Sequence, residues 1–297
     1  TIDDLFAMKG KNILSADQNI NLNDLINIWF KNKKTVTIES EKKQKNGKKI
    51  WVQTTLTPIL NQQGEITKLV AIDSDISKLK ATERELIKQI EKSDELLLNI
   101  LPKKVAEELK EKGVTTPETF ENVAVMFSDF VDFTQFASKL EPFELINELN
   151  ELYTAFDDII GKHNCERIKT IGDAYMAVSG MHKPVANPAL NLTKVAIEFI
   201  AFLENRNKSN KYKWQTRIGI HSGKLVGGVV GVRKYIYDIF GDTINVASRM
   251  EFHSEIMRIN VSEEIYRQIH HEIICEKRIP VEVKGKGLLN MYYVKMS

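Results

Sequence analysis

Hydrophobic and polar positions change period along the 297-residue chain, and each change marks a different kind of element. Between residues 35 and 73 the pattern is strand-like. Thr35 to Lys42, Lys49 to Ile59 and Ile66 to Asp73 are rich in branched and aromatic side chains, with Asn46-Gly47 and Gln63-Gly64 at the two hairpin turns. Just before them, Asn27-Ile28-Trp29-Phe30 reads as the end of a short helix. From 78 to 112 the period becomes helical: Ile76, Leu79, Leu86, Ile90, Leu97 and Ile100 fall on a heptad seam, with Glu83 and Ser93 as its poor positions. This predicts a parallel two-stranded coiled coil, the alternative being a lone solvated helix. Pro102 breaks or restarts it, because proline cannot donate to the preceding turn.

From about residue 113 the order becomes βαββαβ-like. Val123-Ala124-Val125-Met126-Phe127 is a short continuous apolar run typical of a buried central strand. Pro142 opens an amphipathic helix through about Lys162, with Ile146, Leu149, Tyr153, Phe156 and Ile160 on one stripe. Glu166 to Val178 is a hairpin that turns at Gly172-Asp173. Asn187-Pro188 caps a second helix that buries Leu192, Val195, Phe199 and Phe202. Both aromatic stripes read as core. Trp214 to His221 is a further strand with His221 at its end, read as a packed or hydrogen-bonded residue. Tyr237 to Met250 gives a strand, a turn capped by Asp242 or Thr243, and a helix; Val281 to Gly287 is a closing hairpin with Lys284 at its mouth.

Composition adds little but excludes much. The length allows two domains, each with its own core. Hydrophobic content of 42%, charged content of 28% and a net charge of +2 are ordinary, and give no reason to expect nucleic acid. Eight lysines between Lys31 and Lys49 read as a solvated hairpin face. The two cysteines, Cys165 and Cys275, show no metal spacing and fit a reducing compartment. No signal peptide opens the sequence, and no apolar run approaches the roughly 20 residues that span a bilayer. The expectation is a cytoplasmic chain without membrane contact. It begins without a methionine, so a longer protein with an upstream span stays open.

Candidate chemistry rests on two carboxylates. Asp129 follows the apolar run, and Asp173 sits at the hairpin tip. A turn aspartate alone is usually only a turn aspartate. Two at the ends of neighbouring strands suit a hard divalent cation, which is held by one or two carboxylates plus substrate oxygens. Asn245 and Arg249 are four apart, so they share one helical face near its N-terminal end, where an amide and a guanidinium favour an anion. Gly223, Gly227, Gly228 and Gly231 lack the Gly-Lys-Ser/Thr ending of a phosphate loop and read as sites of close packing and turns.

Three resemblances extend this reading. The strand order of the first unit, with Lys48-Lys49-Ile50-Trp51-Val52 and Ile72 to Ser77, resembles the second half of a PAS sensor domain over residues 1–77. The first strands of that fold are missing, so a ligand pocket is expected to be incomplete and the ligand is unknown; the unit binds a small molecule or simply dimerises. A flavin adduct, for which a cysteine is expected near Ile13, is excluded, and histidine-ligated haem is unsupported, since no histidine or cysteine precedes residue 163. Glu91 to Pro102 resembles the connector before many cyclase catalytic domains, giving a signalling linker over 78–112. Finally, Phe127-Ser128-Asp129-Phe130, Lys169-Thr170-Ile171-Gly172-Asp173, Tyr237 to Met250 and Val283 to Gly287 together resemble a class III nucleotidyl cyclase over about 119–296, within a third domain, 113–297.

That resemblance implies an α+β fold with a ferredoxin-like βαββαβ catalytic domain. It implies that Asp129 and Asp173, helped by the Phe130 carbonyl, hold two Mg²⁺ or Mn²⁺ ions. It further implies that Asn245 orients the ribose, Arg249 stabilises transition-state charge, Lys284 holds the terminal phosphates, and Lys169 with Asp238 reads the base. Lysine only donates hydrogen bonds and aspartate only accepts them, which matches the N1 acceptor and N6 donor of adenine. ATP is the expected substrate and cyclic AMP the product. The alternatives are a guanylyl cyclase or a catalytically silent dimeric module. In the family the metal carboxylates and the base-reading groups of one site come from different domains, so a homodimer is implied. One departure stands out: Asp132 occupies a position where the family often has glycine.

Overall fold

The computed structural model describes residues 34–231, 235–283 and 285–296. The expected helix end at 27–30, the beginning of the lysine run and the position near Ile13 lie outside them, as does Lys284. The chain divides into two compact units, Thr1–Leu96 and Leu97–Ser297.

In the first unit, β1 (Val36–Lys43), β2 (Lys49–Leu60) and β3 (Ile66–Asp75) form an antiparallel meander in the order β1-β2-β3. Gly47 and Gly64 take φ of 84° and 75° at the two turns, a region open to glycine but costly to other residues. Helix α1 (Ser77–Leu98) leaves β3 abruptly. The Asp75 carboxylate accepts from the Ser77 N–H at 2.9 Å, and the Ser77 hydroxyl accepts from the Trp51 N–H at 2.9 Å. Lys80 then pairs with Glu39 at 2.8 Å. Beyond this docked first turn no residue of α1 is buried. Leu79, Leu86 and Ile90 of the heptad seam are 62%, 59% and 52% exposed, so a single chain leaves the middle of the seam uncovered, while Ile76 is buried.

In the second unit the chain pauses at Pro102 and restarts as α2 (Lys103–Lys112), closed by Gly113 at φ 71°. Then come β4 (Glu118–Phe130), α3 (Phe133–Ala137), α4 (Pro142–Lys162), β5 (Glu166–Ile171), β6 (Ala174–Ser179), α5 (Pro188–Ser209) and β7 (Thr216–Val230). This is the expected βαββαβ order, and the strands pair as β7-β4-β6-β5. β8 (Ile236–Phe240) pairs antiparallel with the distal part of β7 and leads into α6 (Asp242–Phe252); β9 (Ile259–Ser262) pairs parallel with its proximal part. The remaining elements are α7 (Glu263–Ile269), β10 (Cys275–Lys277), β11 (Val281–Val283), β12 (Gly287–Leu289) and β13 (Met291–Val294), with β11 and β12 as a separate hairpin.

The continuous apolar run of β4 is explained by burial on both faces. Successive strand residues point to opposite sides. Ala124, Met126 and Phe130 join a core with Phe156 of α4 and Phe199 of α5, whose rings stack at 3.8 Å. Val123, Val125 and Phe127 join a second core with Ala106 of α2, Ala247 of α6 and Tyr237 and Ile239 of β8. Each such side chain contributes about 1.5–3 kcal/mol on full burial. Asp129 has the parity of Val125 and Phe127, so it emerges on the face covered by α6.

Several local signals act as expected. Pro142 opens α4, and Asn187 caps α5 by accepting from the Leu190 N–H at 3.0 Å. Three expectations need correction. Ile146 of the α4 stripe is 57% exposed, because the core covers only the later turns. β7 does not end at His221 but runs on to Val230, where its glycines keep pairing with β8. The N-cap of α6 is Gly241, at φ 141°, without a side-chain cap; Thr243 instead donates its hydroxyl proton to the Lys224 carbonyl at 2.6 Å.

Candidate active site

Asp129 and Asp173 meet beneath α6. β4 delivers Asp129 opposite Arg217 of β7 in the antiparallel register. Asp173 is delivered by the β5–β6 turn, where Gly172 takes φ 63°. The Asp173 carboxyl is pushed up to about 6, first by burial and then by the charge of Asp129 beside it. Two carboxylates held together against their mutual repulsion are a cation's binding groups.

Two further residues complete this corner, and the sequence reading missed both. Arg217 Nη2 lies 3.3 Å from Asp129 Oδ2, and its Nε lies 3.2 Å from Glu251 Oε1. The latter contact is out of hydrogen-bonding alignment, which leaves both atoms buried without a hydrogen-bond partner. Glu251 is pushed up to about 7 by burial and by Asp129, against the pull of Arg217. Gly219 makes this placement possible. A Cβ there would overlap the backbone of Met250 and Glu251, so only glycine lets α6 settle on β7. Tyr153 of α4 approaches from below, its hydroxyl 3.5 Å from the Gly172 carbonyl and its acidity pushed to about 12 by burial and by Asp173.

The donor set fits a divalent cation. Three carboxyls share one guanidinium, two of them hold protons more tightly than usual, and buried polar atoms lack partners. Among the described residues no group of three or more His, Cys, Asp or Glu side chains is placed to hold a metal ion by itself. A cation held by Asp129 and Asp173 would complete its coordination with substrate oxygens. The Phe130 side chain belongs to the core, 5.1 Å from the Trp214 ring, so only its backbone is available to such a site.

A second constellation lies four residues back along the β5–β6 hairpin. Lys169 Nζ contacts Asp238 Oδ2 of β8 at 2.5 Å, with the side chains 34% and 18% exposed. Asp238 Oδ1 also accepts from the Ile239 N–H at 2.9 Å, which fixes the carboxylate plane. Asn245 and Arg249 are exposed on one face of α6, beside the buried stripe of Val246 and Met250. Those two pack on Val283 of the β11–β12 hairpin, and Lys286 of the same hairpin pairs with Asp242 at 2.5 Å. Asp132 is exposed at φ 55°, which accounts for glycine being easily accommodated there.

Among the described residues no helix is long and apolar enough to cross a membrane. Residues 115–296 match the family model described as the adenylate and guanylate cyclase catalytic domain. The chain is 40% identical over 217 residues to the receptor-type guanylate cyclase gcy-13 of Caenorhabditis elegans, covering 71% of this chain and 21% of that protein. It is 35% identical over 205 residues to an adenylate cyclase of Mycobacterium tuberculosis, covering 69% of this chain and 46% of that one. This chain thus spans from about a fifth to just under half of these relatives' lengths. Among solved structures it resembles the catalytic core of a rhodopsin-guanylyl cyclase with converted specificity in complex with ATPαS, at TM-score 0.58 and 33% identity over 62% of this chain and 100% of that one. It also resembles the adenylyl cyclase CyaB of P. aeruginosa, at TM-score 0.58 and 26% identity over 62% of this chain and 97% of that one.

Proposed function

Because the chain belongs to the adenylate and guanylate cyclase catalytic-domain family, we propose that it is an adenylyl cyclase, converting ATP to 3′,5′-cyclic AMP and pyrophosphate at sites shared by two copies. The observation that favours ATP over GTP is the Lys169–Asp238 pair. It presents one donor-only and one acceptor-only group side by side, the complement of adenine N1 and N6. Guanine offers the reverse polarity and would leave both groups unpaired.

In the reaction the ribose 3′ oxygen attacks the α-phosphorus, the bond from that phosphorus to the bridging oxygen breaks, and the hydroxyl proton leaves with the pyrophosphate or to solvent. Two divalent cations, Mg²⁺ or Mn²⁺, would be held by Asp129, Asp173 and the Phe130 carbonyl, and would lower the pKa of the 3′-hydroxyl and offset triphosphate charge. Arg217 contacts Asp129 and Glu251 beside these groups and offsets their charge. Asn245 orients the ribose, Arg249 stabilises charge on the α-phosphoryl group, and Lys284 takes the terminal phosphates. No covalent intermediate is needed; positioning and electrostatics carry the catalysis.

Exposure of Asn245 and Arg249 on α6, with Ile236, Phe240 and Phe252 exposed at 57%, 48% and 60%, supports pairing of two catalytic units face to face. The β5–β6 hairpin then gives Asp173 to one site and Lys169 to the other. Upstream, residues 1–77 act as a partial PAS unit, and the uncovered seam of α1 zips with its copy as a coiled-coil linker. Incubation with ATP or GTP and Mn²⁺ tests the assignment: cyclic AMP as the main product is expected. Cyclic GMP as the main product, or no cyclic nucleotide, contradicts it.

A further inference from the structure

Beside the Lys169–Asp238 pair runs a second chain of side chains that the proposed reaction does not use. The Glu166 carboxylate accepts twice from His182, from the backbone N–H at 3.1 Å and from Nδ1 at 2.9 Å. An ionised carboxylate only accepts, so the proton sits on Nδ1. The opposite ring nitrogen, Nε2, lies 3.1 Å from the Tyr237 hydroxyl. That contact survives either state of the ring, because a phenol donates to a neutral imidazole and accepts from an imidazolium. Burial works against the Glu166 charge, but the bonds from His182 outweigh it and hold the carboxyl below its ordinary value. Lys183 also faces Glu166, and Glu118 lies toward Tyr237.

The chain is tightly seated. His182 and Glu166 are 16% and 18% exposed, and the Phe120 ring meets the imidazole edge-on at 5.5 Å. Tyr237 is buried, and its hydroxyl rests against Gly227, where a Cβ would overlap it. Its two ends carry the meaning. Glu166 lies on β5, three residues before Lys169; Tyr237 lies on β8, immediately before Asp238. β5 is at the edge of the sheet beside β6, whereas β8 pairs with β7, so among the described residues β5 and β8 do not pair directly with each other. The sheet joins the two strands only the long way round, through β6, β4 and β7, whereas Glu166, His182 and Tyr237 bridge them directly.

We propose that His182 is a positioning residue for base selection: by tying Glu166 to Tyr237 it fixes the separation and orientation of Lys169 and Asp238. This rests on the reading that these two groups recognise the base. Donor and acceptor must be placed to a fraction of an ångström for a purine edge to satisfy both, and a loosened pair accepts other edges. A purely structural role for His182 would weaken both nucleotides alike.

The test compares His182→Leu and Tyr237→Phe with the parent protein. kcat/KM is measured for ATP and GTP, and equilibrium affinity for 3′-deoxy-ATP and 3′-deoxy-GTP, which lack the attacking hydroxyl. His182→Leu is expected to lower the ATP:GTP ratio about tenfold in both measurements, as loss of a buried hydrogen bond does. Tyr237→Phe keeps the ring and removes only the far bond, so it moves the ratio in the same direction by about threefold, and it decides the matter if His182→Leu does not fold. Lys169→Glu with Asp238→Cys is the control. If the control shifts selectivity toward GTP while both strut variants leave the ratio unchanged, or weaken the two nucleotides equally, the role of His182 is overturned and base reading stands. A control that leaves selectivity unmoved overturns base reading and the role of His182 with it.

Discussion

At the Asp129–Asp173 corner charge is out of balance, whereas at the Lys169–Asp238 corner each charge has its partner. The first gathers three carboxyls around Arg217 and holds two of them near neutral pH values for proton loss. The second closes an ion pair at 2.5 Å and backs it with the Glu166–His182 pair at 2.9 Å. Both grow from the same β5–β6 hairpin, four residues apart. The contrast separates two tasks. Under the proposed function, a corner that takes up cations and triphosphate would stay unsatisfied until they arrive, while a corner that judges a base would be set before the base enters.

Removing a carboxylate from the unsatisfied corner breaks the comparison most severely. Asp173→Asn is expected to lower kcat at least about 10³-fold, through lost cation binding at the reacting phosphate. In the metal-free protein at pH 8 the same change relieves repulsion with Asp129, so the melting temperature rises. Initial rates with Mn²⁺ and ATP, together with a thermal scan in chelator, check both halves. A drop in melting temperature would contradict the electrostatic account.

Next in size, Arg249→Ala should cost on the order of 10²–10³ in kcat with little change in stability, since the side chain is exposed and meets charge that develops during reaction. An unchanged kcat, measured at saturating ATP, removes Arg249 from the proposed site.

The smallest effect sharpens the contrast by pH. A carboxyl whose folded value is raised stabilises the fold at low pH and loses that contribution as pH climbs through the folded value. Asp173, raised from 3.8 to about 6, and Glu251, raised from 4.5 to about 7, place this loss between roughly pH 4 and 7, so a comparison above pH 5 reads its upper part. Glu264, held at about 2 by its bond to His221, has already shed its proton and contributes no slope there. Metal-free protein should thus melt a few degrees lower at pH 8 than at pH 5.5. Mn²⁺ should flatten the trend by compensating Asp173, and a flat profile without metal would argue against crowding at this corner.

The two corners were unequally legible in the sequence. Gly172-Asp173, Pro142 and Asn187 act through their own neighbours, so a local reading placed them. Arg217 and Glu251 have no such local mark, because their meeting depends on the pairing of β4 with β7 and the descent of α6 onto the sheet. The available signal was Gly219, a bare position inside an apolar strand, where a close backbone approach is the usual reason. Reading the later glycines of β7 as sites of close packing and turns ended that strand before them, at His221, although glycine weakens a strand without ending it. The stripe on α4 showed amphipathicity but not how much of it the core would cover, so Ile146 was placed inside. His182 escaped notice because both of its partners are distant in sequence, 16 and 55 residues away.

Shared sites are tested most directly by mixing two inactive chains, Asp129→Ala and Arg249→Ala, each otherwise intact. Either homodimer lacks one half of both sites, whereas the mixed dimer retains one complete site. Cyclic AMP formation with Mn²⁺ should therefore reappear on mixing and approach about half the parent rate per mixed dimer. Continued silence of co-purified mixed dimers would contradict a site built from two copies.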